Sequence, residues 1–324
     1  MTARVTDWGL AGLVAALLVT GALTLFAGSP GAAWIIAVHD ACGIAIALLV
    51  VIKLRRVWPR LVHTAHGTHR RAAGIGAALA VVGCLAAGFL WSGGVAVAIH
   101  MAVRAKRPRR RDLAGRRQFL VASGLAACAV LAWRAQRPVE AVLSLKGARR
   151  RFTGSYDAGS FTGNAFPTTS WVADNPAVIE PASYRLRVHG LLAHPLAISL
   201  DELPAADELV ATLDCTGGFY STQRWRGVRL SSLLDLAGAD PGARHVTVGS
   251  VTGYRWSFAV EDARNLLLAT HVTGAPLSHD HGAPLRLVAP GARGFQWVKW
   301  VTRVELRRDP DLTAPLSTVW SSFV

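Results

Sequence analysis

The feature that most constrains this chain is a set of long apolar runs confined to its first half. Trp8–Ala27 contains no charged residue, and Trp34–Ile52 is interrupted only by His39 and Asp40. About 20 apolar residues are needed for a helix to cross the hydrocarbon core of a bilayer. The first half is therefore predicted to consist entirely of α-helices that span a membrane.

Two basic loops indicate the orientation of these segments. Lys53–Arg71 and Arg104–Arg117 are rich in Lys and Arg, and such loops stay on the cytoplasmic side. The apolar run Ala72–Val103 between them must then cross an even number of times, so we expect a helix, a break near Gly93-Gly94 and a short return helix. A fourth, shorter run is Phe119–Trp133. The sequence thus predicts a multi-pass protein of the cell membrane whose C-terminal domain is extracytoplasmic.

Net charge changes abruptly after the apolar half. Residues 1–152 carry 21 Lys and Arg against 4 Asp and Glu, whereas residues 153–324 carry 14 against 16. Because the basic clusters flank apolar spans, they indicate a lipid bilayer as the partner and argue against nucleic acid. The predicted division is transmembrane helices over 1–133, a basic linker over 134–152, a soluble domain over 153–308 and a C-terminal tail over 309–324.

The fourth apolar run begins with a second signal. Arg116-Arg117-Gln118-Phe119-Leu120 resembles a twin-arginine export signal placed inside the chain. The alternative is a positively charged flank on an ordinary helix. An export signal would carry the following domain across the membrane already folded, which suits a protein that loads a cofactor in the cytoplasm.

The segment after the linker has the pattern of an α+β domain. Alternation over 184–189 and 255–260 predicts strands, while 200–203 and 230–236 are predicted to be short helices. Further strands are predicted over 245–248, 285–288 and 297–306. No G-x-G-x-x-G follows a strand and no P-loop is present, which argues against dinucleotide and nucleoside-triphosphate binding.

Cys215 is the only cysteine after the apolar half. Its neighbours are polar or glycine, and it has no possible disulfide partner within its own domain. It is therefore either an inert buried cysteine or a thiolate kept for chemistry. A thiolate is a soft ligand, which suits a soft or high-valent metal better than Mg²⁺ or Ca²⁺.

Cations and glycines cluster further along the chain. Arg286, Arg293 and Lys299 could hold a phosphate through charge-assisted hydrogen bonds. With Cys215, these residues suit a metal on a thiolate beside a bound phosphate. Two other interpretations stay open. One is a zinc site, although no H-E-x-x-H or C-x-x-C spacing is present. The other is a cysteine nucleophile with His281 as its base.

Four segments resemble the sulfite oxidase family of molybdopterin proteins. Residues 215–228, which begin Cys-Thr-Gly-Gly-Phe-Tyr, resemble the molybdenum-ligand segment of that family. Residues 281–291 and 294–300 resemble its pterin-binding segments, and residues 161–168 resemble the segment that lines the pterin. The matches span nearly the whole of 153–308, so the resemblance implies a sulfite-oxidase-type α+β fold there.

The resemblance also implies a molybdenum-molybdopterin cofactor and a role for each matching residue. Cys215 would bind molybdenum and be catalytic, with Arg224 and Arg226 lining the mouth of the substrate pocket. The residues implied to hold the pterin and its phosphate are Asn164, Thr168, Ser250, His281, Arg286, Arg293, Trp297, Val298 and Lys299. The metal would move an oxygen atom and two electrons, while the protein supplies orientation and field.

The chain departs from full-length sulfite oxidases in two places. It ends soon after Arg308, so we expect no immunoglobulin-like dimerisation domain; the chain resembles the compact bacterial members, including the protein-methionine-sulfoxide reductase catalytic subunit. The two-arginine stretch that follows the cysteine in true sulfite oxidases is replaced by Thr216-Gly217-Gly218. This replacement argues against sulfite and leaves some other small or protein-borne sulfur compound, or a similar molecule, as the expected substrate.

Two histidines lie in the apolar runs. His39 and His100 could bind a haem b axially, since a histidine inside a membrane segment is a functional hypothesis by default. The alternative is a plain membrane anchor. The leading prediction is a membrane-anchored molybdopterin-dependent oxidoreductase that exchanges electrons with a membrane or extracytoplasmic carrier. A non-enzymatic membrane-tethered binding module and a haem-containing electron carrier are the alternatives.

Overall fold

The chain is described by a computed structural model over residues 3–63, 116–170 and 174–321. It divides into two compact units, which comprise Met1–Ala27 with Gly31–Ala148, and Gly28–Pro30 with Arg149–Val324. The predicted break near Gly93-Gly94 and the histidine His100 lie outside the described residues.

Long helices make up the described part of the first unit. They are α1 (Ala3–Thr24), α2 (Ala33–His63) and α3 (Arg116–Val142). Each contains a stretch that is long and apolar enough to cross a membrane. An ion pair of 2.9 Å joins Asp7 of α1 to Lys53 of α2. The prediction of an all-helical N-terminal part is confirmed.

Helix α3 is longer than the apolar run that predicted it. The run ends at Trp133, but the helix continues to Val142 and so includes the first part of the predicted linker. The added residues are mostly Ala, Arg, Gln and Glu, which favour helix even where they are polar. A short 3₁₀ turn, Lys146–Arg149, follows.

The second unit contains two β-sheets. Its strands are β1 (Tyr156–Asp157), β2 (Leu186–Gly190), β3 (Leu196–Ile198), β4 (Asp207–Asp214), β5 (Phe219–Arg229), β6 (His245–Ser250), β7 (Arg255–Ala259), β8 (Leu267–Val272), β9 (Ala275–Pro276), β10 (Arg286–Val288) and β11 (Val301–Arg307). The first sheet has the order β1-β5-β8-β10, with β4 on β5 and β9 on β8. The second has the order β3-β2-β11-β6-β7. One hydrophobic cluster includes residues of both sheets.

Short helices complete the second unit. They are α4 (Leu230–Leu236), α5 (Val260–Ala263) and α6 (Ser317–Trp320). Helix α4 has the predicted bounds. The predicted helix over 200–203 is wrong, because those residues form a turn. Pro204 follows directly, and a proline disfavours helical geometry in the residue before it. The α+β class predicted for this part of the chain is confirmed.

The geometry of strand β5 determines which of its own side chains face the interior of the second unit. Along it, side chains alternate between buried and more exposed positions, because successive residues of a strand point to opposite faces. Trp225 is fully buried, whereas Arg224 and Arg226 are exposed. At Gly227 a Cβ atom would lie 2.0 Å from the carbonyl oxygen of Leu268 in β8. Only glycine therefore allows β8 to approach this closely.

Candidate active site

Cys215 lies in the tight turn that joins β4 to β5. Its backbone N–H donates to the carbonyl oxygen of Phe219 at 2.8 Å, and its carbonyl accepts from the N–H of Gly218 at 3.1 Å. Gly218 has a φ of +90°, a conformation that glycine adopts without strain. The turn holds the Cys215 side chain at the wall of a cavity, with the residue 7% exposed.

Two hydrogen-bonding groups surround the sulfur. The N–H of Gly217 donates to Cys215 Sγ at 3.3 Å, and the hydroxyl of Thr169 lies 3.2 Å from it. Both groups can donate a hydrogen bond to the sulfur and so fix the direction of its lone pairs. Gly294 packs on the other side, where a Cβ atom would lie 2.9 Å from Cys215 Cα. No larger residue would fit at 294 without moving this turn.

The cavity has a volume of about 160 Å³. It collects residues from the segment 166–170, from the Cys215 turn and from the loops around β10. Its lining residues are Phe166, Pro167, Thr168, Thr169, Ser170, Leu213, Cys215, Thr216, Phe219, Asp280, His281, Arg286, Gly294, Phe295, Trp297 and Lys299. Of the predicted site residues, Cys215, Thr168, His281, Arg286, Trp297 and Lys299 are therefore brought together at one cavity.

Arg286 is a buried cation facing this cavity. Its side chain lies 5.0 Å from the ring of Trp225 and 5.8 Å from that of Trp297, and the residue is 3% exposed. One guanidinium nitrogen donates to the carbonyl oxygen of His281 at 3.0 Å, but its buried Nε has no hydrogen-bond partner. Burial lowers the pKa of Arg286 to about 9. A buried cation whose Nε is unsatisfied is suited to an anionic ligand.

Lys299 lies beside Arg286. Its ammonium donates to Ser170 Oγ at 2.8 Å and to the carbonyl oxygen of Asp280 at 3.0 Å. Burial, and next the neighbouring Arg286 cation, lower the pKa of Lys299 to about 8. Gly282 brings the two side chains together, because a Cβ there would meet Lys299 Cβ at 2.9 Å and Arg286 Cβ at 3.1 Å. The pair forms one positive wall of the cavity.

His281 is held by hydrogen bonds at both ring nitrogens. Nε2 lies 3.0 Å from the carbonyl oxygen of Phe166, and Nδ1 lies 2.7 Å from Ser278 Oγ. A carbonyl only accepts, so Nε2 carries the proton and Nδ1 accepts from the serine hydroxyl. Burial and the Arg286 cation lower the pKa of His281 to about 4, which keeps the ring neutral. Both ring nitrogens are thus engaged with other groups and not with the Cys215 sulfur. This argues against the interpretation of Cys215 as a nucleophile with His281 as its base.

Three predicted cofactor ligands lie away from the cavity lining. Asn164 donates to the carbonyl oxygen of Pro276 at 2.8 Å and accepts from the N–H of Ser278 at 2.9 Å. It thus supports the serine that binds His281. Ser250 is buried and accepts a hydrogen bond from Thr252 of the adjacent turn. Val298, also buried, accepts at its carbonyl from the N–H of Leu287, a residue of β10. These residues shape the surroundings of the site without facing it.

The structure does not place the three other predicted arginines where their predicted roles require. Arg293 does not face the cavity to bind a phosphate, because its guanidinium donates to a carboxylate oxygen of Asp214 at 2.8 Å. Arg224 and Arg226 do not line a substrate mouth here. The strand alternation of β5 places both on the face opposite to Trp225, where Arg226 lies 2.9 Å from a ring nitrogen of His271.

Two cavity features escaped the sequence reasoning. Thr169, whose hydroxyl lies near the sulfur, lies two residues after Phe166-Pro167 in a segment without a recognisable motif. Trp225, whose ring lies 5.0 Å from the Arg286 guanidinium, has no feature in the sequence that separates it from the other aromatic residues of the strands. No hydrophobic alternation along 219–229 separates inward Trp225 from outward Arg224, because the inward residues Ser221 and Gln223 are polar.

The remaining predicted ligands concern other cofactors. Within residues 3–63, 116–170 and 174–321, no group of three His, Cys, Asp or Glu residues lies together as a metal site would require. His39 in α2 bonds through Nδ1 to the Thr20 hydroxyl of α1 at 2.9 Å. The haem pair of His39 with His100 stays a prediction, because His100 lies outside the described residues.

Comparisons with known proteins match the second unit. The oxidoreductase molybdopterin binding domain family matches residues 172–314. Sulfite oxidase of Gallus gallus is 34% identical over 188 residues, covering 46% of this chain and 38% of that protein. The protein-methionine-sulfoxide reductase catalytic subunit of Gluconobacter oxydans is 29% identical over 156 residues, covering 41% of this chain and 50% of that protein.

A nitrate reductase and a solved structure are also similar. An Oryza sativa nitrate reductase [NADH] is 32% identical over 161 residues, covering 38% of this chain and 18% of that protein. The sulfane dehydrogenase SoxCD of Paracoccus pantotrophus has a TM-score of 0.40 and 27% identity over 41% of this chain and 40% of that one. This chain thus spans half or less of the length of these relatives. The Cys215 turn and Lys299 both fall inside the matched residues, whereas the segment 166–170 precedes them.

Proposed function

We propose that the second unit is a molybdopterin-binding oxidoreductase domain of the sulfite oxidase type, and that the chain catalyses a two-electron oxygen-atom transfer while anchored in a membrane. The observation that carries the proposal is the cavity itself. A cysteine sulfur lies in one wall, and two partly desolvated cations, Arg286 and Lys299, lie in another. A cofactor with a metal at one end and a phosphate at the other fits this pair of walls.

The residues present meet the chemical needs of molybdenum-molybdopterin. Cys215 supplies a thiolate, which suits a transition metal such as molybdenum better than Mg²⁺ or Ca²⁺, and the N–H of Gly217 fixes the direction of its lone pairs. The unsatisfied Nε of Arg286 is an orphaned buried donor that a phosphate oxygen would satisfy. Lys299 adds the second charge. The described residues therefore suit both the metal end of the cofactor, at Cys215, and its phosphate end, at Arg286 and Lys299.

The chain's own residues would prepare the reaction in three ways. When bound, the cofactor supplies a molybdenum centre that exchanges two electrons and an oxygen atom with substrate. Cys215 and the cations hold that group in one orientation, so that little reorganisation is needed. The aromatic residues Phe219, Phe295 and Trp297 exclude water around it. The neutral His281 would hold Phe166 in the cavity wall through the hydrogen bond from Nε2 to the Phe166 carbonyl oxygen.

The charge around Cys215 favours an uncharged substrate. Leu213, Thr216, Phe219 and Phe295 are the uncharged neighbours of the sulfur in the cavity wall. Arg286 and Lys299 are the cations among the lining residues, and a cofactor phosphate would neutralise them. Among the described residues that line the cavity, an anion such as sulfite would then find no further positive charge to offset its desolvation. We propose a neutral sulfur compound, small or carried on a protein, as the substrate.

Membrane attachment is part of the proposal. The helices α1, α2 and α3 are each apolar and long enough to span a bilayer, and the basic loops predict an extracytoplasmic second unit. The start of α3 carries Arg116-Arg117, the pair proposed as an internal export signal. The partner would be a membrane or extracytoplasmic electron carrier, since a two-electron reaction must exchange electrons with a second protein or a quinone-like molecule.

Metal analysis tests the proposed cofactor. The full chain is purified in detergent from a host that makes molybdopterin, and its metals and released pterin are measured. We expect about one molybdenum per chain and loss of it in Cys215→Ser. The matched control is Cys128→Ser, which changes an exposed cysteine of α3. Protein that folds but contains neither molybdenum nor pterin would favour the binding-module alternative, and a haem absorbance without molybdenum would favour the haem carrier.

Turnover with paired substrates tests the proposed charge preference. Two aryl methyl sulfoxides, one neutral and one bearing a carboxylate, are compared with an artificial electron donor, and their sulfides are compared with an artificial acceptor. We expect the neutral member of each pair to have the lower KM. Faster oxidation of sulfite than of any neutral sulfur compound would refute this preference.

A further inference from the structure

A buried carboxylate lies immediately before the cysteine ligand. Asp214 is 1% exposed, and its first carboxylate oxygen accepts from Arg293 Nη1 at 2.8 Å and from the Ser155 hydroxyl at 2.7 Å. A carboxylate this deeply buried must be paired, because an unpaired one would cost several kcal/mol. The pairing therefore fixes the position of the last residue of β4.

The second oxygen of Asp214 is bound by the same incoming segment. It accepts from the Thr153 hydroxyl at 2.7 Å and lies 3.2 Å from Arg151 Nε. Three of the four groups around this carboxylate thus come from residues 151–155, called the anchor segment below. These residues precede the part of the chain that matches the family, which begins at residue 172.

The anchor segment reaches the far side of the cysteine turn as well. The residue that follows it, Tyr156, donates its N–H to the carbonyl oxygen of Gly218 at 3.1 Å. Tyr156 is also the first residue of β1, which pairs in parallel with β5. Cys215 is therefore bracketed by contacts at Asp214 and at Gly218, both made by one continuous stretch of chain.

A third segment completes the arrangement. Arg293 forms a parallel bridge with Asp214, and its N–H donates to Gln296 Oε1 at 2.9 Å. The next residue, Gly294, lies against Cys215 Cα. The bond between Arg293 and Asp214 therefore keeps Gly294 against the backbone that carries the sulfur, and the anchor segment supplies the rest of the carboxylate's partners.

We propose that the anchor segment is a positioning element of the cysteine site, which acts through Asp214 to aim the Cys215 sulfur into the cavity. The proposal deepens the proposed function, on which it rests for the identity of the atom that the sulfur binds. It assigns to residues outside the matched family domain a part in building the metal-ligand turn. The segment that leads from the helical unit is therefore part of the site.

The test measures the accessibility of the sulfur in the full chain prepared without cofactor. The variant is Thr153→Val with Ser155→Ala, which removes both hydroxyls from the carboxylate. The alkylation rate of Cys215 by iodoacetamide is read by peptide mass spectrometry, which separates it from the other cysteines. We expect this rate to rise by about tenfold, because losing hydrogen bonds to a buried charge loosens the turn by this order of magnitude.

Two matched variants separate positioning from general destabilisation. Thr153→Ser keeps the hydroxyl and should alkylate at the wild-type rate. Ser160→Ala removes a hydroxyl that bonds Asp157 and the N–H of Thr222 in the same stretch of chain but does not touch Asp214, so its rate should also stay unchanged. If the double variant fails to fold, Thr153→Val alone is used, with a smaller rise expected.

The outcomes separate this proposal from the proposed function. An alkylation rate in the folded double variant equal to that of wild type overturns the positioning role, whatever the metal content. In cofactor-loaded protein, the double variant should also shift the visible absorption band of thiolate bound to metal, whereas Thr153→Ser should leave it in place. Absence of molybdenum from wild type would refute the function but leave the alkylation test intact.

Discussion

Replacing Arg286 by Met should stabilise the cofactor-free protein and at the same time abolish cofactor retention. The Arg286 side chain is buried, and burial lowers its pKa from 12.5 to about 9. The guanidinium is charged at neutral pH in both the folded and the unfolded protein. The full desolvation cost of burying this charge therefore applies at neutral pH. At about 1.4 kcal/mol for each pKa unit, the buried charge lowers the free energy of unfolding by roughly 5 kcal/mol.

Contacts that Met would lose offset part of this gain. The guanidinium donates one hydrogen bond to the His281 carbonyl and lies over the rings of Trp225 and Trp297. One such bond and two cation–π contacts are together worth about 3 kcal/mol. Met replaces the aliphatic part of the Arg286 side chain but ends near the position of Nε, so the space of the remaining guanidinium atoms must be refilled by repacking. The desolvation penalty exceeds these losses, so we expect the cofactor-free variant to unfold at a higher temperature than wild type.

The assay is thermal unfolding of the cofactor-free full chain, paired with molybdenum analysis of protein from a competent host. Arg286→Met should unfold at a higher temperature than wild type and contain little molybdenum. Arg226→Met is the control, since it changes an exposed arginine and should alter neither value. A variant that unfolds at a lower temperature and still retains molybdenum would refute the assignment of Arg286 as a cation held in place for an anion.

Three further predictions concern the cavity walls. Inorganic phosphate should raise the Tm of cofactor-free protein more at pH 7 than at pH 9, because the pKa of Lys299 is about 8; equal shifts at both pH values would contradict this. Gly294→Ala should cost about 1–3 kcal/mol of unfolding free energy and lower molybdenum content, because its Cβ would lie 2.9 Å from Cys215 Cα; Gly124→Ala, with open space at its Cβ, is the control. Arg224→Ala should leave molybdenum content and the KM for substrate unchanged. A large rise in KM would contradict this and indicate that Arg224 lines the mouth of the substrate pocket.

The site was predictable where residue type alone indicates chemistry. A cysteine in a glycine turn and a cluster of cations and glycines further along the chain pointed to Cys215, Arg286 and Lys299, which the structure brings to one cavity. Arg293 carries the same charge, but its partner Asp214 lies far away in sequence. Its role as one side of a buried ion pair depends on tertiary contacts that no local pattern encodes.

The fold was predictable where hydrophobic residues recur at a regular spacing. The apolar helices and α4 follow from their patterns, whereas β5 does not. The inward positions of β5 include the polar Ser221 and Gln223, both fully buried, because they bond to the loop at Gly159. A strand whose interior face is partly polar gives no alternation of hydrophobicity to detect.

The central claim is that the Cys215 sulfur binds molybdenum. Molybdenum K-edge X-ray absorption of the purified full chain counts the sulfur neighbours of the metal directly. We predict that Cys215→Ser loses one sulfur neighbour from whatever molybdenum it retains, while Cys128→Ser keeps the wild-type number. A molybdenum site in wild type with the same number of sulfur neighbours as in Cys215→Ser would contradict it.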